Sequence, residues 1–511
     1  MSSKTHEMTP PSPREVRIVF AGLMLALALA SLDQNIVAVA LPQIVSDLGG
    51  LHHLSWVVTS FLVTSTATTP LYGKLSDMYG RKPLFVVAII TFLIGSSLCG
   101  LSRSMVELVV FRGIQGLGAG GLMVLAQTTI ADLVAPRERG RFQGLFGAVF
   151  AVSSVAGPLL GGFITSALSW RWIFYVNLPV GIPALAMIFF GFKRPHHKVP
   201  HHIDYTAVAL LTSATVALLL VLSWGGVQFP WSSPFILALA AASVALIALL
   251  VRTERRSEEP VLSPHIFHNR TVVVATGVMG LAFMGLFGAF VFLPLFFQLV
   301  LGMDPAKSGL LLAPMTGGLI VTSTLGGRRV SSTGKYKMLT VFGLGAATLS
   351  FIAVMLSAAG GGGIGVIETA LIFLGCGFGM VMPNLVVALQ NAVGPREMGA
   401  ATATAAFFRQ LGGTFGVAMS GAIMTAGLRG LHAEKWAGIA RGGRSLMDQG
   451  LREIAALPPA EREVVKEAYR HAISTTFLVG SIIIALAFIL VLFLPEHPLR
   501  SAPGKEEEKT G

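Results

Sequence analysis

The sequence predicts an all-α membrane protein of about fourteen spans, built as two like six-helix bundles with one helix pair inserted between them. Three observations carry that prediction. They are apolar blocks of membrane-crossing length, Lys and Arg gathered on one side of those blocks, and an internal repeat.

Of 511 residues, 53% are hydrophobic and 12% charged, against about 25% charged in soluble domains. The apolar residues come in blocks of roughly 18–27, each long enough to cross a ~30 Å hydrocarbon core as a helix. They lie near 18–41, 55–72, 84–102, 106–128, 142–164, 172–192, 206–224, 234–251, 272–298, 308–327, 338–358, 364–389, 402–425 and 472–494. The 58 glycines fit helices packed closely in a membrane. The first block is too long and too polar at its end for a cleaved signal peptide, so it reads as a retained span. Cys99 and Cys376 both sit inside apolar blocks, which argues against a disulfide framework or a metal site.

With the N-terminus placed inside, 24 of the 37 Lys and Arg fall in inner loops and tails. The short outer loops hold three, Arg103, Arg171 and Lys307, and the long outer loop 426–471 holds eight. Long loops count little in this bias. Arg112 and Arg409 lie within spans. Both termini are therefore expected in the cytoplasm. The formal charge of +12 then reflects topology, and no nucleic-acid partner is expected.

His196, His197, His201 and His202 cluster after the sixth block. No Cys or second acidic ligand frames them, so a solvated connector is the plainer reading beside a metal site. Loop 426–471 carries two short helical patterns split by Pro458-Pro459, with Glu463 and Lys466 at helical spacing. It either caps an outer vestibule or is a solvated insert. The tail ending Glu506-Glu507-Glu508 has a disordered composition.

The internal repeat is short but placed twice. Val134-Ala135-Pro136-Arg137-Glu138-Arg139-Gly140 is echoed by Val393-Gly394-Pro395-Arg396-Glu397-Met398-Gly399. Gly73-Lys74 and Gly80-Arg81 are echoed by Gly327-Arg328 and Gly334-Lys335. The offsets, 259 and 254, describe one duplication in which the first six spans match the last six. The expected division is a tail 1–17, a first bundle 18–192, an inserted pair with flanking loops 193–271, a second bundle 272–494 and a tail 495–511. Two like halves suit a carrier that rocks around a midplane site.

Polar residues inside the blocks mark the candidate sites. Asp33 sits about eight residues from the outer end of its block, and Arg112 lies a few residues from the outer end of the fourth. An arginine that deep costs ~2.5–3.5 kcal/mol unless paired or hydrated, and similar depth makes an Asp33–Arg112 pair possible. Such a pair is either a switch, since substrate or conformation can move a desolvated carboxylate between protonated and charged forms, or a permanent bridge. Snorkelling of Arg112 to the interface is the alternative to pairing. In the loop after the second block, Gly73 allows close helix approach and Gly80 a tight turn. Lys74, Arg81 and Lys82 anchor its inner face, and Asp77 either pairs with them or faces a helix N-terminus. Gly157, Pro158, Gly161 and Gly162 make the fifth span bendable and closely packed. A central cavity would draw on Gln34, Gln115, Phe287, Phe290, Asn384 and Arg409. Further intramembrane polar groups are Gln127, Glu368 and Gln390. The Phe283, Phe287, Phe290, Phe292, Phe296, Phe297 and Met284 run is either an apolar wall for cargo or core and lipid packing.

Several of these segments together resemble the major facilitator superfamily, in particular its fourteen-span drug:proton antiporter branch. Gly73-Lys74-Leu75-Ser76-Asp77-Met78-Tyr79-Gly80-Arg81-Lys82 matches the signature loop of that superfamily, and Arg112-Gly113-Ile114-Gln115-Gly116-Leu117-Gly118 resembles its RxxQGxG element. Gly157-Pro158-Leu159-Leu160-Gly161-Gly162 is similar to the antiporter motif, with Ser153 where another Gly is frequent. Leu32-Asp33-Gln34-Asn35-Ile36-Val37-Ala38-Val39-Ala40-Leu41-Pro42 resembles the branch's LDxTIVNVALP, with Asn35 for Thr and Ala38 for Asn. Ser169 to Pro179, Arg409-Gln410-Leu411-Gly412-Gly413, Pro294 and Gln298 follow the branch as well.

The resemblance implies a major-facilitator-like fold and a conformational latch at Gly73, Asp77, Gly80, Arg81 and Lys82, one-sided because Ser331 stands at the second copy of Asp77. It also implies proton coupling through Asp33 and Arg112, and export of lipophilic, often cationic, compounds. Expected partners are small lipophilic substrates, protons and membrane lipid. A periplasmic adaptor joins them in a double-membraned bacterium. The expected state is a monomer in the bacterial cell (inner) membrane, with no cofactor. Export of an endogenous lipid, siderophore or metabolite fits the same fold. An intramembrane enzyme is disfavoured because no nucleophile–base pair or ligand set shares one depth, and a channel because nothing resembles a filter.

Overall fold

The computed structural model describes residues 13–48, 54–192, 204–226, 229–257, 264–290, 292–303, 305–360, 363–394, 397–430 and 458–499. Among them the chain is helical, with long helices α1 (Pro13–Leu48), α2 (Leu54–Tyr79), α3 (Arg81–Leu101), α4 (Met105–Leu133), α5 (Pro136–Ala167) and α6 (Trp172–Gly191, interrupted at Val176). Then follow α7 (Tyr205–Trp224), α8 (Pro234–Glu254), α9 (Arg270–Phe290), α10 (Ala313–Thr333), α11 (Lys337–Gly360), α12 (Ile364–Ala392), α13 (Met398–Gly430) and α14 (Pro459–Leu492).

Eleven of these helices are long and apolar enough to cross a membrane, which makes this a multi-pass membrane protein. The other three, α2, α10 and α13, are as long but diluted by small and polar residues. In α2 the hydroxyls turn back onto their own helix, as Thr64 onto Ser60 O (2.9 Å) and Thr68 onto Thr64 O (2.8 Å). Thr69 bonds Ser65 O (2.8 Å) and reaches across to Gly120 O of α4 (3.2 Å). Self-satisfied hydroxyls let such a helix pass through a dry interior.

The packing repeats. In the first half α1 lies against α5 and α6, α4 against α2 and α3, and α3 against α6. In the second half α9 lies against α13 and α14, α12 against α10 and α11, and α11 against α14. Glycines make the equivalent approaches. A Cβ at Gly116 would lie 2.5 Å from Phe61 O of α2, and one at Gly120 would overlap Ser65 O. Gly375 and Gly379 follow these by 259 residues and meet Met315 O and Leu319 O of α10 in the same way. The inserted helices α7 and α8 pack on each other, and α7 touches α2 and α13.

The halves meet through two equivalent helix pairs, α2 on α13 and α5 on α10. A Cβ at Gly73 would overlap Ala403 Cβ and stand 2.7 Å from Gly399 O. A Cβ at Gly140 would stand 2.8 Å from Gly327 O. These four glycines are the repeat seen in the sequence, each copy seated on the other's partner. They close the molecule at the end that carries the loop between α2 and α3.

Three boundaries differ from expectation. The block 272–298 is not one helix: α9 ends at Phe290, a short turn Leu293–Leu295 opens on Pro294, and a π-turn Phe296–Val300 follows. Proline lacks the N–H that would carry α9 onward. Pro459 opens α14 well before the block 472–494, in a first-turn position where proline costs no hydrogen bond; the helical pattern expected before Pro458 lies outside the described residues. Helix α13 also runs on to Gly430. The His196–His202 cluster, most of loop 426–471 and the acidic tail lie outside the described residues.

Candidate functional site

Asp33 is fully buried in α1, and Arg112, 2% exposed, reaches it from α4. Arg112 Nη1 stands 2.6 Å from Asp33 Oδ2. One turn along α4, on the same face, Gln115 Nε2 donates to Asp33 Oδ1 (2.9 Å), while its Oε1 accepts from Arg112 Nη1 (2.7 Å). A Cβ at Gly95 of α3 would lie 2.5 Å from the Gln115 backbone, so the bare glycine seats α4 at this depth. Arg112 Nε also donates to Val57 O (3.2 Å), and its guanidinium lies 4.1 Å from the Phe61 ring centroid. Held by Asp33, Gln115 and the Val57 carbonyl and 2% exposed, the cation does not snorkel.

Two further residues complete this network, and the sequence reading had not singled them out. Asn177 of α6 donates Nδ2 to Asp33 Oδ1 (2.8 Å) and to Ser96 Oγ (2.9 Å). Ser96 in turn donates to Phe174 O (2.8 Å). Asn177 is fully buried and its Oδ1 has no partner. Asparagine closing an interfacial Trp/Tyr segment is the signal that was available. The end of α1 is tied nearby, where Trp170 Nε1 donates to Asp47 (2.8 Å).

The glycines of α5 stand beside this site. A Cβ at Gly157 would lie 2.6 Å from Asn35 Cβ, and one at Gly161 would lie 2.9 Å from Ile36 O. Gly162 has more room, with Val39 at 4.0 Å, and Pro158 faces outward.

The loop after α2 is a charge cluster. Arg81 bridges Asp77 (2.6 Å) and Asp132 of α4 (2.7 Å), and Nη1 also donates to Ser76 Oγ (2.5 Å). Asp77 accepts from the N–H groups of Gly399 (3.0 Å) and Ala400 (2.9 Å) in the first turn of α13. That is a carboxylate on an open helix N-terminus, and it joins the two halves. Gly80 holds φ 92°, matched by Gly334 at φ 73°. Lys82 donates to Phe192 O (2.9 Å) and covers the Phe189 ring. Ser331 bonds back to Gly327 O (2.9 Å).

Of the expected cavity residues, Gln115 belongs to the Asp33 network, Gln34 is exposed, and the side chain of Phe290 lies outside the described residues. Phe287 stacks on Phe283 (centroids 5.5 Å), and Asn384 is buried with Nδ2 on Met380 O (2.6 Å). Arg409 stands at the seam, against Met123 of α4.

Two pseudo-symmetric helix bundles, the first enclosing a buried ion network, are the architecture of a membrane transporter. The chain belongs to the Major Facilitator Superfamily, whose sequence profile matches residues 23–207 and again 205–417. It is 34% identical to the multidrug transporter protein MdtP of Bacillus subtilis, over 96% of this chain and 95% of that one. It is also 34% identical to the multidrug resistance protein 3 of the same organism, over 96% and 97%. It is 32% identical to the efflux pump dotC of Dothistroma septosporum, over 95% and 85%. The fold is that of the solved proton:xylose symporter XylE, with a TM-score of 0.63 at 16% identity over 95% of this chain and 98% of that one.

Proposed function

We propose that the protein is a proton-coupled exporter of lipophilic compounds, working by alternating access with Asp33 as proton carrier. The observation that carries this reading is the enclosure of Asp33, whose two oxygens accept from three donors. A proton on Oδ2 cancels the charge that pairs Arg112 and makes that oxygen a donor. Gain or loss of one proton therefore repacks α1 against α4 and α6. Gly157 and Gly161 pass the movement to α5, whose Gly140 rests on Gly327 of the other half. The names of the relatives support efflux as the direction and drugs as cargo.

In this reading α2, α10 and α13 complete fourteen crossings, and both termini are cytoplasmic. The division is a bundle 18–192, an inserted pair 193–271 and a bundle 272–494. The closed end then faces the cytoplasm, so Asp33 loads its proton from outside, and the halves rock as proton enters and cargo leaves. The protein works as a monomer in the bacterial cell membrane, with a periplasmic adaptor where a second membrane must be crossed.

The test is transport of a fluorescent lipophile in liposomes under an imposed pH gradient. Asp33→Asn is expected to abolish gradient-driven accumulation while downhill exchange persists. Undiminished gradient-driven accumulation in that variant would sink the coupling role.

A further inference from the structure

A cationic cargo would call for an open carboxylate, yet Arg112, Gln115 and Asn177 enclose Asp33. Both of its oxygens already accept from these donors and the group is fully buried, so no face of it is open to a cation. The charge at the seam between the halves is of the opposite sign. Arg409, half-buried on α13, has one hydrogen-bond partner among the described residues, the Met123 thioether at 2.8 Å, and one ring contact, Phe283 with its centroid at 5.3 Å. A thioether is a weak acceptor, and a guanidinium offers five donors. Neither α13 nor α9 contains an Asp or Glu.

The nearby carboxylates are committed elsewhere. Asp77 and Asp132 both serve Arg81. On α12, Glu368 is 21 residues before Leu389, which stands beside Arg409, so about 30 Å of helix separates them. Arg112 and Met123 are eleven residues apart on α4, about 16 Å, so the Asp33 network does not reach Arg409. The guanidinium borders a cavity of about 10 Å³ shared with Gln127, Thr402, Met279 and Leu389, room for about one water. Its single acceptor comes from the other half, so parting the halves at this depth removes that as well.

We propose that Arg409 is the recognition site for an acidic group, and that the cargo is a lipophilic carboxylate, its chain lying along Phe283 and Phe287. An unpaired cation inside a membrane protein is costly, and a cargo oxyanion gives it the bidentate partner that the chain withholds. The polar cavity atoms Thr402 and Gln127 supply the remaining contacts to such a head group. The proposal rests on the export reading and assigns it an anionic cargo, where the family resemblance implied an often cationic one.

Three dansyl probes on one undecyl chain separate the cases: the carboxylic acid, its primary amide and the trimethylammonium. Their binding to the purified full chain in nanodiscs is followed by fluorescence. The acid is expected to bind about tenfold more tightly than the amide. Arg409→Gln should bring that ratio to about one and Arg409→Lys should keep part of it. A wild-type ratio near one, a preference for the trimethylammonium, or a Gln variant with the wild-type ratio would each overturn the proposal. Where the Gln variant fails to fold, the wild-type ratio decides. Gradient-driven accumulation undiminished in Asp33→Asn, with the acid preference intact, would sink the proton reading alone.

Discussion

In the buried Asp33–Arg112 pair, removing the cation alone strands the acid. Arg112→Leu leaves a fully buried carboxylate with two amide donors and no counter-charge, and breaking a buried pair in this way costs about 3–5 kcal/mol. Arg112→Leu is expected to lower the thermal midpoint of the purified protein sharply. The double variant Arg112→Leu with Asp33→Leu should recover most of the loss, because it leaves no buried charge. A double variant as unstable as the single would mean that Arg112 matters through packing on Phe61. Both charges were legible in the sequence because a charged residue inside an apolar block needs a reason. Asn177 and Ser96 were not, since small polar residues are ordinary in membrane helices and nothing local tells which of them meet a distant carboxylate.

Helix α5 is the element that links the site to the seam. Its Gly157 and Gly161 seat on α1 beside Asp33, and its Gly140 and Gly144 seat on α10, with the Gly144 Cβ direction 2.5 Å from Ser323 O. The two contacts are 17 residues apart from Gly140 to Gly157, about 25 Å of helix, so one rod touches both. Gly327→Leu fills the closest of these approaches and is expected to hold the halves apart. Spin labels at Tyr79 and Lys335, on opposite halves of the closed end, should report a longer distance in that variant and lost transport. Gly162→Ala, with room for its methyl, should leave both unchanged. Equal effects of the two substitutions would count against close packing as the cause. Apolar length found the helices but not their ends, since hydropathy reports the lipid-crossing part alone. For that reason α13 and α14 overran their blocks, and Pro294 broke a run that reads as continuous.

At the scale of the whole molecule the two halves are like but unequal. Gly73 on Gly399 and Gly327 on Gly140 are the same contact made twice, so the two short echoes that pointed to the duplication also lie at the seam between its halves. Among the described residues, the charge contact of Asp77 on a helix N-terminus is made once. Its asymmetry follows from where the helices begin: α13 starts at Met398, so the N–H groups of Gly399 and Ala400 are free for Asp77. Helix α5 starts at Pro136, and by Gly140 the N–H groups already have intrahelical acceptors. A carboxylate at the second position would therefore meet no open helix end. Asp77→Asn is expected to shift the Tyr79–Lys335 spin-label distribution toward the open form, by a factor of about five to thirty in the equilibrium for loss of a charge-assisted contact of about 1–2 kcal/mol. Ser331→Asp should leave the closed population no larger than wild type. A gain in closure from Ser331→Asp would show that attraction to the basic loop, and not the helix N-terminus, is what holds the latch.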